Sequence, residues 1–299
     1  MKMLGVIDIG TNTILCLKAS IGENGVNIIF DKRFHYRAGQ RLDEKGNISS
    51  EYKTGMKKTL LFALKDLGDC PKIKIVATEV LRKPEDGSVF ARELSDQTGH
   101  HIEIINPQRE AELSFLGATY GMGFGGEYIS VLDIGGGSSE LAIGKSGKLI
   151  NWSSVKLGAV VACETSGYEK RFDEYMDIAM KTFQGSDFHR LLALPVQRKL
   201  VVGGSAVAIA VMLSRQSEYD PKKLQGYIIR KDELVPFLDK LGRMTIDERR
   251  KAMVFDAGRA DIIVGGGAII LAFMEFASIS ALTVSIRGLR YGLLAELVK

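Results

Sequence analysis

Apolar positions in this chain gather into short runs, and two of those runs close in the same way. Val6-Ile7-Asp8-Ile9-Gly10-Thr11-Asn12-Thr13 returns as Val131-Leu132-Asp133-Ile134-Gly135-Gly136-Gly137-Ser138. Each copy is an apolar stretch, an aspartate, and a glycine turn carrying hydroxyls. A run closed by Asp-x-Gly predicts a buried strand that delivers a carboxylate to the rim of a sheet. Small residues after it let backbone N–H groups approach an anion without an intervening Cβ. Either copy alone reads first as a strand that turns, because glycine marks turns everywhere. Repetition in one context predicts duplicated phosphate-holding domains that face each other.

The rest of the pattern predicts the elements around these turns. Residues 4–9, 14–20 and 25–34 read as an antiparallel meander, separated by Gly10 and the Gly22-Glu23-Asn24-Gly25 turn. A charged polar loop from Arg37 to Asn47 leads to Ser49 or Ser50 as N-cap of a helix to about Leu67. A strand at 73–77, a helix at 85–98 ended by Gly99 and a strand at 102–105 follow. Asn106-Pro107 opens the next helix, with Asn as cap and Pro at the first helical position.

The second half repeats that order. Strands are predicted at about 128–133, 139–144 and 148–156, with Gly144-Lys145-Ser146-Gly147 as a hairpin turn. Helices follow at about 158–166 and 172–183, then a strand at 199–202 and a helix after Gly203-Gly204-Ser205. Helices at roughly 231–253 and 258–276, a strand at 281–285 and a helix to Lys299 complete the chain. This is one α/β plan written twice, with a cleft between the copies as the natural ligand site. The domains are predicted as 1–122 and 123–299, the final helix packing back on the first domain. Gly121 to Gly126 formally satisfies GxGxxG, but the dinucleotide fingerprint needs a strand before it and a helix after it. Here the order is reversed, and the segment reads as a domain junction.

Composition narrows the classes. The 299 residues suit two domains, and 45% hydrophobic with 25% charged residues is a globular profile. No apolar stretch is long enough to span a bilayer, and the start lacks a signal-peptide layout, so a cytoplasmic protein without membrane association is expected. Cys16, Cys70 and Cys163 are scattered and form no metal spacing. The +4 charge and pI near 8.8 are mild; no basic stripe with aromatics calls for nucleic acid, while a modest positive field favours a polyanionic substrate. Lys57-Lys58 and Arg249-Arg250-Lys251 are expected on solvated helix faces.

Candidate chemistry centres on the glycine turns. Asp8 and Asp133 read either as buried turn-formers or as cleft carboxylates. Asp133 has the stronger claim on phosphate or magnesium, with Glu140 as a second magnesium carboxylate unless that residue faces solvent. Gly203-Gly204-Ser205 reads as an anion seat at a helix N-terminus or as a plain tight turn. Val264-Gly265-Gly266-Gly267 reads as close helix packing. Glu110, in the first turn of its helix, is either a general base or an acid suited to the helix dipole. No histidine pairs with a serine or cysteine in a triad pattern.

Seven motifs occur in order: Asp8 to Thr13, Ala77-Thr78-Glu79-Val80-Leu81-Arg82, Asn106 to Ala111, Asp133 to Glu140, Gly203 to Ser205, Arg259-Ala260-Asp261 and Ser285 to Arg290. Taken together they resemble the exopolyphosphatase and guanosine pentaphosphate phosphohydrolase (Ppx/GppA) phosphatase family of the actin/Hsp70/sugar-kinase superfamily. The resemblance implies two duplicated actin-like (ribonuclease H-like) α/β domains, each a mixed sheet with flanking helices, and an active site in the interdomain cleft. It implies Glu110 as the catalytic glutamate and Asp133 with Glu140 as the Mg2+ carboxylates. It also implies phosphate binding by Gly10, Thr11, Asn12, Thr13, Arg82, Gly135, Gly136, Gly137, Ser138, Gly203, Gly204 and Ser205. Departures are Gln108-Arg109 where the family usually carries more acid, and Gln225-Gly226 where His-Gly is common. The matched motifs end with the second domain, as in the family's short subclass.

The expectation is therefore a magnesium-dependent hydrolase releasing terminal orthophosphate from inorganic polyphosphate. Its rivals are guanosine pentaphosphate hydrolysis at the same site, an ATP-dependent kinase of the superfamily, and a catalytically silent polyphosphate or alarmone sensor. A homodimer is left open as the assembly.

Overall fold

The computed structural model describes residues 2–23, 25–36, 41–253 and 255–298. Asn24 of the predicted hairpin turn and residues 37–40 of the predicted polar loop lie outside the described residues. The chain divides into two compact units, residues 1–113 with 289–299 and residues 114–288.

In the first unit, β1 (Lys2–Ile9), β2 (Thr13–Gly22) and β3 (Gly25–His35) form the expected meander. From Leu4 to Ile9 every residue of β1 is buried, as its unbroken apolar run requires of a strand covered on both faces. Helix α1 (Ser50–Leu67) starts where the Ser49 hydroxyl accepts from the Tyr52 N–H, and buries a stripe of Tyr52, Met56, Leu60, Ala63 and Leu67. β4 (Lys72–Ala77) and β5 (Ile102–Ile104) extend the sheet in parallel, giving the order β3-β2-β1-β4-β5.

The predicted helix 85–98 is α3 (Gly87–Thr98), beginning two residues later than expected, and a four-residue α2 (Glu79–Arg82) that was not anticipated precedes it. Gly87 decides where α3 begins: a Cβ there would lie 2.0 Å from the Leu81 carbonyl oxygen, so only glycine permits the approach. Gly99 closes α3 in the left-handed conformation, as expected. α4 (Pro107–Thr119) opens with the Asn106 side chain accepting from the Arg109 N–H at 2.8 Å.

The second unit repeats the plan. β6 (Tyr128–Ile134), β7 (Ser139–Lys145) and β8 (Lys148–Val155) form a meander whose hairpin is narrower than predicted. Lys145 pairs with Lys148, leaving Ser146 and Gly147 as the turn, both at positive φ. Then come α5 (Ala159–Ser166), α6 (Phe172–Gln184), α7 (Phe188–Leu192), β9 (Arg198–Val202), α8 (Gly204–Leu213), α9 (Pro221–Leu224) and β10 (Ile228–Arg230). α7, α9 and β10 are too short to carry a readable period, and none was anticipated.

The predicted helix 231–253 breaks into α10 (Lys231–Gly242) and α11 (Ile246–Ala252). The cause was written in the chain: Thr245 and Glu248 form a reciprocal capping box that starts a new helix. Arg249 corrects another expectation. It does not lie on a solvated face but is 1% exposed, its Nε donating to the Leu241 carbonyl at 2.8 Å. α12 (Ile263–Phe276) is buried almost throughout and begins five residues later than expected, after a 3-10 turn at 257–259. Its glycines do serve packing: a Cβ on Gly266 would lie 2.2 Å from Ser205 Oγ, and one on Gly267 2.4 Å from Leu238.

β11 (Ala281–Val284) completes a sheet ordered β10-β11-β9-β6-β7-β8. α13 (Leu289–Val298) belongs to the first unit, where it packs on β1 and β2, and Arg290 grips Asp31 of β3 at 2.7 and 2.8 Å. Among the described residues no helix is long and apolar enough to cross a membrane.

The two sheets superpose as topologies. β3-β2-β1-β4-β5 corresponds to β8-β7-β6-β9-β11, with the same antiparallel and parallel neighbours, and β10 is an addition at one edge. The registers agree in detail. Asp8 stands opposite Leu15 and Val76, and Asp133 stands opposite Glu140 and Val202.

Candidate active site

In the first unit, the turn from β1 to β2 is closed by the Gly10 N–H donating to the Thr13 carbonyl at 3.1 Å. Thr11, Asn12 and Thr13 are all buried, and so is Asp8. Two tyrosines stake the turn from below: the Tyr36 hydroxyl donates to the Gly10 carbonyl and the Tyr52 hydroxyl to the Thr11 carbonyl. Their rings meet edge to face at 5.3 Å. Burial pushes the Tyr36 phenol well above its ordinary pKa, so it stays a donor. The Thr11 hydroxyl donates to Glu79 at 3.3 Å, and Glu79 in turn pairs with buried Arg41 at 3.0 Å. With carbonyls held inward in this way, the turn is fixed as a rigid frame.

On the same unit, Glu110 sits in the first turn of α4, 8% exposed. Arg82, at the end of α2, donates from Nη1 to Glu110 Oε2 at 3.0 Å and to the Ile105 carbonyl at 2.7 Å. Arg82, expected at phosphate, therefore stands beside Glu110 and ties its carboxylate to the backbone ahead of α4.

In the second unit the equivalent turn has the same closure, with the Gly135 N–H donating to the Ser138 carbonyl at 3.0 Å. The Gly135 and Gly136 carbonyls accept from the first amides of α5, at 3.0 Å from Ala159 and 2.9 Å from Val160. Gly158 permits that contact, since a Cβ there would strike Gly136 at 2.4 Å. Gly137 and Ser138 complete the turn and are buried.

Asp133 and Glu140 are direct cross-strand partners, so both carboxylates project from one face of the sheet. Glu140 is 2% exposed, which removes the solvent-facing alternative. Ser114 donates to Asp133 Oδ2, and Ser154 donates to Glu140 Oε1 at 2.7 Å. Hydroxyl donors of this kind stabilise ionised carboxylates. Neither serine was singled out from the sequence, because each belongs to a different element from the carboxylate that it serves.

The third turn joins β9 to α8. Gly203 has φ 111°, and a Cβ there would lie 2.3 Å from the Ile134 carbonyl oxygen. The amides of Gly204 and Ser205 stand in the first turn of α8, where no helical carbonyl is available to them. The Ser205 side chain is buried, its hydroxyl lying against Gly266 of α12.

Arg259 is the main residue missed. Its guanidinium lies over Gly204, so close that a Cβ on that glycine would fall 2.2 Å from it. Asp256, itself in the left-handed region at φ 63°, holds Arg259 at 3.1 Å. The Arg-Ala-Asp triplet was visible in the chain, but nothing local tied it to the β9 turn. Gln225 bonds Ser285 at 3.3 Å and accepts from the Ile286 N–H at 3.0 Å, bracing the segment before α13.

Repeated sheets of this order with glycine turns at matching strand ends define a duplicated actin-like α/β protein. The profile of the Ppx/GppA phosphatase family matches residues 18–299, and the chain belongs to that family. It is 26% identical to the exopolyphosphatase 2 of Mycobacterium tuberculosis over 311 residues, 94% of each chain. It is 27% identical to a guanosine-5'-triphosphate,3'-diphosphate pyrophosphatase of Vibrio campbellii, covering 99% of this chain and 59% of that protein. Among solved structures, the Aquifex aeolicus PPX-GPPA enzyme aligns with a TM-score of 0.79 at 25% identity over 99% of both chains. At family level, then, the chain has the make-up of a phosphohydrolase.

Proposed function

We propose that this protein is an exopolyphosphatase that hydrolyses the terminal phosphoanhydride of inorganic polyphosphate. The observation that carries the reading is Glu110, a nearly buried carboxylate aimed by Arg82 in a unit whose glycine turn is rigidly framed. Glu110 takes a proton from water as its oxygen attacks the terminal phosphorus in line. The bond from phosphorus to the bridging oxygen breaks, releasing orthophosphate and a chain one phosphate shorter. Phosphoryl transfer asks little covalent chemistry of a protein and much positioning. Backbone amides at the turns of residues 10–13, 135–138 and 203–205 are suited to hold the anionic oxygens.

The donor set Asp133 and Glu140 fits magnesium, a hard cation that takes one or two carboxylates and fills its remaining positions with water and substrate oxygens. When bound there, the ion would supply charge neutralisation to the transferring phosphoryl group.

A second reading, guanosine pentaphosphate hydrolysis at the same residues, is favoured by the similarity to the Vibrio campbellii protein. One experiment separates the readings: phosphate release with magnesium from short polyphosphate, long polyphosphate, guanosine pentaphosphate and ATP, run in parallel. Fastest release from polyphosphate is the expected result. Faster release from guanosine pentaphosphate selects the second reading, and binding of polyphosphate without release from any substrate selects a sensor.

A further inference from the structure

A cavity of about 590 Å³ opens in the second unit where the C-terminal end of α8 meets α10 and α11. It lies at the opposite end of α8 from the Gly203–Ser205 turn, roughly 15 Å away at 1.5 Å per residue. Its lining combines three kinds of group. Met212 and Phe237 offer an apolar, polarisable wall. Arg215 and Lys240 bring two cations, neither in an ion pair among the described residues, and Glu233 brings one carboxylate. Gln216 adds a buried acceptor: its Nε2 donates to Ser214 at 2.8 Å, while its Oε1 accepts no hydrogen bond among the described residues.

Arg215 is held there by an unusual backbone. α8 ends in a Schellman motif, with the Arg215 N–H on the Met212 carbonyl at 3.2 Å and the Gln216 N–H on the Val211 carbonyl at 3.3 Å. The motif calls for glycine at the left-handed position, yet that position is Arg215, at φ 52°. An arginine kept where glycine fits better, with its charge on a cavity, points to use of the guanidinium.

We propose that this cavity binds a nucleoside monophosphate. The flat base lies against Phe237 and Met212. The phosphate meets Arg215 and Lys240, and the ribose hydroxyls donate to Glu233. Two cations against one carboxylate suit a single phosphate, whereas a polyphosphate chain would meet Glu233 and leave the apolar wall uncovered. The volume lies within the range of small-molecule sites.

The test is titration of the full chain with GMP and with AMP, followed by calorimetry and by amide NMR. Orthophosphate and tripolyphosphate serve as controls. Saturable shifts at residues 212–216 and 237–244 with either nucleotide are the expected result. Arg215→Gly relieves the backbone and should fold at least as well, bind the nucleotide at least tenfold more weakly and hydrolyse substrate as before. Lys240→Gln should also weaken binding. The proposal is overturned if neither nucleotide shifts these amides, or if Arg215→Gly binds like the wild type. Displacement of the nucleotide by tripolyphosphate, or equal shifts from orthophosphate alone, also overturns it.

Discussion

Arg82 bonds Glu110 and the Ile105 carbonyl with the same Nη1, at 3.0 and 2.7 Å. One guanidinium thus ties the candidate base to the backbone just ahead of the Asn106 cap of the helix that bears it. The carboxylate is steered from two sides, by its own helix turn and by α2. Glu110→Gln keeps the size and hydrogen bonding of the residue while removing its basicity. Turnover should fall by roughly 10²–10⁴-fold with polyphosphate binding retained, as general-base loss requires. Arg82→Ala should lower kcat by about 10²-fold through misplacement of the carboxylate. If Arg82 only bound phosphate, KM would rise instead with kcat nearly unchanged, and steady-state kinetics over a wide substrate range distinguishes the two.

The cross-strand pair Asp133 and Glu140 predicts a different phenotype. Asp133→Asn should raise the magnesium concentration needed for half-maximal activity and weaken manganese binding measured by electron spin resonance in the absence of substrate. Glu110→Gln should leave that binding unchanged. A metal requirement unaltered in Asp133→Asn would remove this pair from metal binding.

Gly266 sets helix propensity against packing. Alanine in a helix interior is favoured over glycine by about 1 kcal/mol. Here its Cβ would fall 2.2 Å from Ser205 Oγ and 2.6 Å from Ser205 Cβ, in a wall of buried residues. Overpacking of this kind costs about 1–3 kcal/mol, so Gly266→Ala should lower the urea midpoint. Adding Ser205→Gly should recover part of the loss, and additive effects in the double mutant would deny the contact.

Asp86 gives the first unit a pH dependence. Burial alone would raise its pKa, but the Lys53 ammonium at 2.5 Å and the Ile48 N–H at 2.9 Å outweigh it and hold the carboxyl below its ordinary value. A carboxyl with a depressed folded pKa stabilises above its unfolded value, and the contribution is lost as pH falls through the folded one. Asp86→Asn should therefore be less stable than the wild type at pH 7, with the gap narrowing as pH falls through the folded pKa. Urea melts over a descending pH series measure this.

Most of the architecture was legible in the chain. The meanders, the Ser49 and Asn106 caps, the Gly99 stop and both Asp-x-Gly turns depend on residues within a few positions of one another. Local chemistry of that range is written directly in sequence order. The reading failed where one local signal overrode a longer period, as when the Thr245–Glu248 box cut the predicted helix 231–253. It failed again where elements were shorter than any period, as in α7, α9 and β10.

By itself the sequence determined the duplicated strand order and the glycine turns, and through its motifs the family of the chain. Only the tertiary structure decided which side chains serve those turns. Arg82 reaches Glu110 across 28 positions and Tyr52 reaches the Thr11 carbonyl across 41. Arg259 lies on Gly204, and Arg249 is buried within a run of basic residues that reads as solvent-facing. The reason is physical. Hydrophobic period fixes which face of an element turns inward, but partners on other elements are selected by packing and by the need to satisfy buried polar groups. Both of those act through space and leave no spacing in the chain.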